Sequence, residues 1–137
     1  MAVLQAVAQT ACQAPSGAPP QVTAEGATYT LACVFAAGHS TSVRIQRFGS
    51  AGEAQAAFRD ATKDHPTQDF HGQVAATWEE QAFETPTAKR RLFVWQIDRW
   101  FCRVESFDDT AYPMALEPGK VAEVVYQAAM QQGLWPR

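Results

Sequence analysis

Residues 90 to 109, RRLFVWQIDRWFCRVESFDD, contain two runs rich in apolar residues on either side of Asp98-Arg99. Placing that pair at a two-residue hairpin turn sets Ile97 opposite Trp100 and pairs the rest of the two runs outward from there. Opposed residues in antiparallel strands share a face of the sheet. One face of this hairpin is then entirely apolar and is predicted to lie in the core: Phe93, Trp95, Ile97, Trp100, Cys102 and Val104.

The other face of this hairpin, which we call the outer face, mixes apolar and charged residues: Leu92, Val94, Gln96, Phe101, Arg103 and Glu105. Slipping the pairing by one residue would set polar residues opposite core residues, so the pattern favours one register. The outer face is more apolar than a fully solvated strand pair requires. Two interpretations stay open: the face binds a partner, or residues 1 to 24 or 67 to 88 cover it.

A second hairpin is predicted in ATYTLACVFAAGHSTSVRIQRFG, residues 27 to 49. Its alternating apolar residues are Tyr29, Leu31, Cys33 and Phe35 in the first strand, and Val43 and Ile45 in the second. Setting Phe35 opposite Val43 and Cys33 opposite Ile45 leaves a three-residue loop that begins with glycine, a common hairpin connection. This register points Cys33 into the core.

Two helices are predicted by their end signals. Ser50 and Glu53 form a capping box, and the helix that it begins runs to about Asp64. Pro118 suits the first turn of a second helix, which Gly133 ends. Residues 67 to 88 fit either a strand or a short helix. The order of elements predicts an α+β domain, with an antiparallel sheet of two β-hairpins and two helices packed on one of its faces.

The amino-terminal residues 1 to 24 contain no charged side chain, and we interpret them as a flexible tether or truncated signal region before a single domain at 25 to 137. Ala6-Val7-Ala8 fits a signal-peptidase pattern, and Cys12 is a candidate for lipid attachment. A loosely docked amino terminus is the alternative. The export-like interpretation predicts an extracytoplasmic location, with a possible peripheral membrane tether.

The remaining cysteines, Cys33 and Cys102, are both predicted to point inward. They form either a disulfide, if their strands are neighbours, or two reduced thiols that pack as small apolar side chains. No Cys-x-x-Cys spacing occurs, so a zinc ribbon or finger is not expected.

Composition limits the class of protein. The chain has 137 residues, 18% charged residues and a net charge of −3, which describes one globular domain. Binding to nucleic acid is not expected because a strongly basic footprint is missing. No apolar run approaches the ~20 residues that a membrane-spanning helix needs, so no transmembrane segment is predicted.

Candidate catalytic groups are sparse. His65, Asp69 and His71 have a spacing that could suit a transition metal, but they fall in a predicted loop without further ligands, and we interpret them as solvated side chains. No nucleophile elbow or glycine-rich phosphate loop is present. The sequence therefore predicts no catalytic residue, no metal and no cofactor, and a protein that is not an enzyme.

Four segments carry a resemblance: VRIQRFGSAGEAQAAF, WEEQAF, RLFVWQIDRWFCRVESF and AEVVYQAAMQQG. Across residues 28 to 134 the chain resembles small exported bacterial α+β domains, many tethered as lipoproteins, some of which are likened to the Mog1/PsbP-like fold. Such domains are mostly of unknown function or accessory to larger assemblies, so the resemblance implies a sheet with two helices and transfers no catalytic residues.

These observations predict a non-enzymatic binding or accessory domain that contacts another protein, or a second copy of itself, through the outer face. Its contact residues would be Leu92, Val94, Arg99, Phe101 and Arg103, with Phe101 as anchor. The alternative is a small-ligand-binding domain or enzyme with a pocket between the sheet and residues 67 to 88. Its walls would be Trp78, Trp95 and Tyr112, with His65 or His71 at the mouth.

Overall fold

A computed structural model describes residues 2–10, 21–34, 40–81, 89–108 and 117–135. The helices in these ranges are α1 (Ala2–Thr10), α2 (Ala51–Thr62) and α3 (Pro118–Gln131). The strands are β1 (Gln21–Glu25), β2 (Thr28–Val34), β3 (Ser40–Arg47), β4 (Gln68–Phe70), β5 (Gln73–Gln81), β6 (Lys89–Ile97) and β7 (Trp100–Asp108). The α+β class is confirmed.

The strands described form one antiparallel sheet in the order β1-β2-β3-β7-β6-β5-β4. The predicted β6–β7 register is confirmed, with Ile97 opposite Trp100 and Trp95 opposite Cys102. Asp98 begins the two-residue connection and adopts a left-handed φ of 50°, a conformation that aspartate tolerates better than most residues. The segment that fitted either a strand or a helix forms β4 and β5, so the sheet is wider than two hairpins.

The predicted register of β2 against β3 is wrong, although the predicted faces are retained. Leu31 lies opposite Val43 and Tyr29 opposite Ile45, which places each β3 residue against a β2 residue four positions earlier than expected. Because four is even, both strands keep their apolar residues on one face. Phe35, the expected partner of Val43, lies outside the described residues, as does most of the predicted loop.

The two predicted helices do not share a face of the sheet. In the larger hydrophobic cluster, α3 packs on the inner face of β6 and β7, around Trp95 and Val104, and α1 packs beside α3 against β1 and β2. In a second cluster, α2 packs on the outer face through Phe58. The fold therefore has three layers, with α1 and α3 on one side of the sheet and α2 on the other.

The amino-terminal segment belongs to the domain. Residues 2 to 10 form α1, and its Val3, Leu4 and Val7 are buried in the core. Strand β1 begins at Gln21, inside the range predicted as a tether. The prediction of a flexible tether over residues 1 to 24 is therefore wrong for these two parts, while Cys12 lies outside the described residues.

Both predicted helix ends are present. The Ser50 hydroxyl accepts a hydrogen bond from the Glu53 amide at 3.2 Å, and Glu53 Oε2 accepts one from the Gly49 amide at 2.9 Å. At the end of α3, Gly133 has a φ of 72° and its amide donates to the Met130 carbonyl. These contacts satisfy backbone groups that the helix leaves unpaired.

No disulfide joins Cys33 to Cys102. The thiol of Cys102 is free and buried, and burial raises its pKa well above the ordinary value, so it stays neutral. Cys33 pairs with Thr41, which in turn pairs with Ser106, and β3 separates β2 from β7. Strands two positions apart are about 10 Å apart, beyond the ~7 Å limit between the Cα atoms of a disulfide.

Among the described residues, no helix is both long enough and apolar enough to cross a lipid bilayer.

Candidate functional site

One end of the outer face is covered by α2. The ring of Phe58 meets Phe101 edge to face at a centroid distance of 6.4 Å, and Ala76 and Val94 complete this buried cluster. Phe58 lies on the buried face of α2, together with Ala54. This contact holds α2 on β6 and β7.

The apolar contact residues predicted on the outer face are therefore core residues. Leu92 and Val94 are fully buried, and Phe101 is only 5% exposed. The prediction that these three side chains form an exposed docking surface is wrong. Helix α2 covers Val94 and Phe101, and it lies outside the two segments that were expected to provide cover.

Among the described residues, the cluster under α2 does not extend to the other end of the outer face. Here β3 lies beside β7, so Arg44 is directly opposite Arg103 and Ser42 is directly opposite Glu105. These four residues line a hollow of about 140 Å³, and we call them the open half. Each is half-buried. Of the predicted contact residues, Arg103 belongs to this surface.

The open half contains two arginines, of which only one has a carboxylate partner among the described residues. Arg103 Nη2 donates to Glu105 Oε1 at 2.6 Å. Among the described residues the Arg44 guanidinium has no acidic partner, and its Nε is buried without an acceptor. Like charges directly opposite each other destabilise a strand pair, so this arrangement departs from what stability favours. Such departures are typical of functional sites.

A neighbouring pair of charges extends this network toward β5 and β6. Arg90 Nε lies 3.6 Å from the Glu105 oxygen that Arg103 already contacts, and Arg90 Nη1 donates to Glu80 Oε1 at 3.0 Å. Burial acts to raise the pKa of Glu80, but hydrogen bonds from Trp78 and Arg90 outweigh it and lower that pKa, so Glu80 is ionised at neutral pH. The network holds three cations and two carboxylates, which leaves one positive charge in excess.

Arg99 does not join this surface. It is exposed at the hairpin tip, where its guanidinium lies 4.0 Å from Asp98 Oδ2 and its carbonyl accepts a hydrogen bond from the Phe48 amide. At about 3.3 Å per residue, Arg99 is about 13 Å along the strand from Arg103. A contact centred on the open half would not require it.

The predicted aromatic pocket is not formed by its two tryptophans. Trp78 lies opposite Leu92 on the outer face, whereas Trp95 lies opposite Ala75 on the inner face, so the sheet separates them. Trp95 is fully buried among the rings of the core. Tyr112 lies outside the described residues. A pocket shared by Trp78 and Trp95 is therefore excluded.

The two histidines proposed for its mouth have different partners. His65 stacks on Trp78 at a centroid distance of 4.2 Å, whereas His71 stacks on Tyr126 of α3 at 4.1 Å. His71 Nε2 also lies 2.6 Å from Glu123 Oε2. Asp69 accepts a hydrogen bond from the Gly72 amide. In the ranges that the structure describes, no three potential metal ligands converge.

The His71 contact predicts a pH-dependent contribution to stability. The hydrogen bond from His71 lowers the pKa of Glu123 below its ordinary value of 4.5. A lowered carboxylate pKa gives stability that is complete above the unfolded value and is lost as pH falls through the folded value. We expect Glu123→Gln to cost at most about 1 kcal/mol at pH 7, because the pair is partly exposed, and less at pH 3.

Urea unfolding of both proteins at the two pH values measures this difference. Glu79→Gln is the matched control for a surface carboxylate whose pKa is lowered by other partners, chiefly the hydrogen bond from Lys89. A cost for Glu123→Gln that is equal at pH 7 and pH 3 would contradict the assignment to charge.

A groove of about 440 Å³ lies between α1 and α3 on the far side of the molecule. Its lining combines apolar Val124 and Ala128 with polar Lys120 and Gln127. This groove could not be predicted from the sequence, because residues 2 to 10, which form one of its two helices, were interpreted as a tether. Arg44 was missed for a related reason, since only the order of strands brings it to Arg103.

Comparison with known proteins adds little to this geometry. No protein-family model matches the chain, and a search of curated proteins gave no significant match. A crystal structure of a protein from Bacteroides thetaiotaomicron VPI-5482, determined at 1.50 Å, is similar over 78% of this chain with 10% sequence identity and a TM-score of 0.49. The similarity spans 40% of that protein's chain.

Proposed function

We propose that this chain is a non-enzymatic binding or accessory domain that contacts another protein through the open half of the outer face. The observation that carries the proposal is the half-buried, charged hollow between Arg44 and Arg103, at the part of the sheet that α2 leaves uncovered. Arginine is enriched at protein interfaces because its planar donors bind carboxylates in a fixed geometry.

The proposal retains Arg103 from the sequence prediction and replaces the apolar anchor. Phe101 packs against α2, so it is not available to a partner. Arg44 and Ser42 take its place at the centre of the contact, because both line the hollow with Arg103. Arg99 is left as a peripheral residue at the hairpin tip.

An extracytoplasmic location remains part of the proposal, supported by Cys12 as a candidate for lipid attachment. Fractionation of cells that make the natural gene product tests it. Recovery with the cytosolic fraction would contradict it.

Arg103→Glu tests the docking surface. We expect this change to abolish an assembly that the unmodified protein forms, detected by light scattering for a second copy and by quantitative affinity capture from the native organism for another protein. The melting temperature should change little, because Arg44 can pair with the new carboxylate.

Arg59→Glu is the matched control, since it makes the same charge change on an exposed position of α2. The expected result is an assembly that persists with Arg59→Glu and disappears with Arg103→Glu. An assembly that both variants retain to the same degree would contradict docking at the open half.

A further inference from the structure

We propose that the hollow of the open half binds a single carboxylate group from an acidic segment of the protein partner, with Arg44 as its principal ligand. This inference rests on the proposed function, because it names the chemistry that the docking surface recognises.

The first step is the state of Arg44 in the free protein. Its Nε is buried and has no hydrogen-bond acceptor among the described residues. Leaving a charged donor buried and unpaired costs more than leaving a neutral one, and native proteins do so rarely. A carboxylate placed against the Arg44 guanidinium therefore gains a charge-assisted hydrogen bond without breaking an existing hydrogen bond to Nε.

The second step is the count of charge around the hollow. Glu105 already accepts from Arg103 at 2.6 Å, and Glu80 accepts from Arg90 at 3.0 Å. Each of these two arginines has its own carboxylate, so among the described residues the unmatched charge is that of Arg44. One missing negative charge fits a carboxylate, whereas the dianion of a phosphate would bring a second charge close to Glu105.

The third step is size and access. The hollow has a volume of about 140 Å³, which is enough for a carboxylate group and too small for a drug-sized ligand. The four described residues that line it are half-buried, so each keeps part of its surface accessible to solvent. A carboxylate that projects from a partner chain can reach it. The Ser42 hydroxyl lies in the same lining and can donate a further hydrogen bond.

The experiment follows the Nε–H resonances of the arginines by nuclear magnetic resonance while a hepta-glutamate peptide is added. We expect a saturable shift at Arg44, with a smaller one at Arg103, and no shift with hepta-glutamine. Arg44→Gln should weaken binding by roughly 10- to 100-fold, because a hydrogen bond to a charged group contributes about 1.5 to 3 kcal/mol. Arg59→Gln, on α2, should bind as the unmodified protein does.

Two further measurements sharpen the outcome. Arg44→Gln should melt at or above the temperature of the unmodified protein, because it removes a like-charge pair; a clear fall would assign Arg44 a structural role and overturn the proposal. Inorganic phosphate should compete with hepta-glutamate weakly. Tighter binding of phosphate, or no saturable shift at Arg44, would also overturn it.

These outcomes separate this inference from the proposed function. If Arg103→Glu abolishes an assembly while hepta-glutamate leaves Arg44 unchanged, the surface docks a partner but the carboxylate assignment fails. If Arg103→Glu leaves every assembly intact, docking itself fails, whatever the peptide does.

Discussion

Trp95→Ala is expected to lower the free energy of unfolding by about 3 to 5 kcal/mol, a large part of the ~5 to 15 kcal/mol that stabilises a domain. Trp95 is fully buried at the centre of the inner face. Its indole packs against Phe70 at a centroid distance of 5.3 Å, Phe93 at 5.9 Å and Trp135 at 5.8 Å. Alanine would leave a cavity lined by rings that come from β4, β6 and the segment after α3.

Urea unfolding followed by circular dichroism measures this loss. Trp78→Ala is the matched control, because it removes the same side chain from the half-buried position where it stacks on His65. We expect this control to cost less than about 2 kcal/mol, because folding removes less of the apolar surface of Trp78 from water than of Trp95. Equal costs for the two variants would contradict the central position of Trp95.

The register of the β6–β7 hairpin could be predicted because local pattern and pairing agree there. Asp98-Arg99 is the only polar pair between two apolar runs, and a shift by one residue would expose Trp95. In β2 and β3 the same alternation fixes the face but permits shifts of two or four residues. Leu31, the observed partner of Val43, and Phe35, its expected partner, are both apolar, so the pattern does not choose between the two registers.

The face of the sheet on which each helix packs could not be predicted from the sequence. The pattern of each helix shows only that one of its sides is apolar. Phe58 and Val125 both lie on such sides, yet α2 packs on the outer face and α3 on the inner face. The apolar residues of the outer face did indicate that cover was needed. Nothing local in the sequence says which element supplies it.

The apolar spacing of residues 2 to 10 does predict a helix, but the interpretation of this segment was based on its lack of charge. Val3, Leu4 and Val7 have the spacing of one helical face, and all three are buried. The absence of charged residues from positions 1 to 24 favoured a tether, but a short helix that packs against α3 and against β1 and β2 has little need of them. Composition and periodicity disagreed in this segment, and periodicity was the better guide.

The candidate site is formed by pairing between strands that are far apart in the sequence, so it was harder to predict than the core. Arg103 was identified from its own hairpin, whereas Arg44 lies 59 positions earlier in the chain and reaches it only because β3 pairs with β7. Hydrophobic alternation carries no information on which strands become neighbours. A pair of arginines placed side by side by topology is therefore invisible until the order of strands is known.

Phe101→Glu is expected to lower the free energy of unfolding by about 4 kcal/mol or more, enough to unfold many domains of this size. The change removes the ring that meets Phe58 and places a carboxylate against Val94 and Ala76, where no cation among the described residues of that cluster can pair with it. Burial in this position should raise the pKa of the new carboxyl group, because it disfavours the charged form. The variant is therefore expected to be less unstable in acid than at neutral pH.

Arg103→Glu is the control for this prediction, because it introduces the same side chain two residues along the same strand and on the same face. Its side chain is 28% exposed and lies in the charged network of the open half, so the change should cost less than about 1 kcal/mol. Phe101→Leu should recover most of the stability that Phe101→Glu loses, because it restores an apolar contact with α2. If Phe101→Glu instead melts within a few degrees of the unmodified protein, then α2 does not cover this end of the sheet, and the boundary between the buried cluster and the open half must be moved.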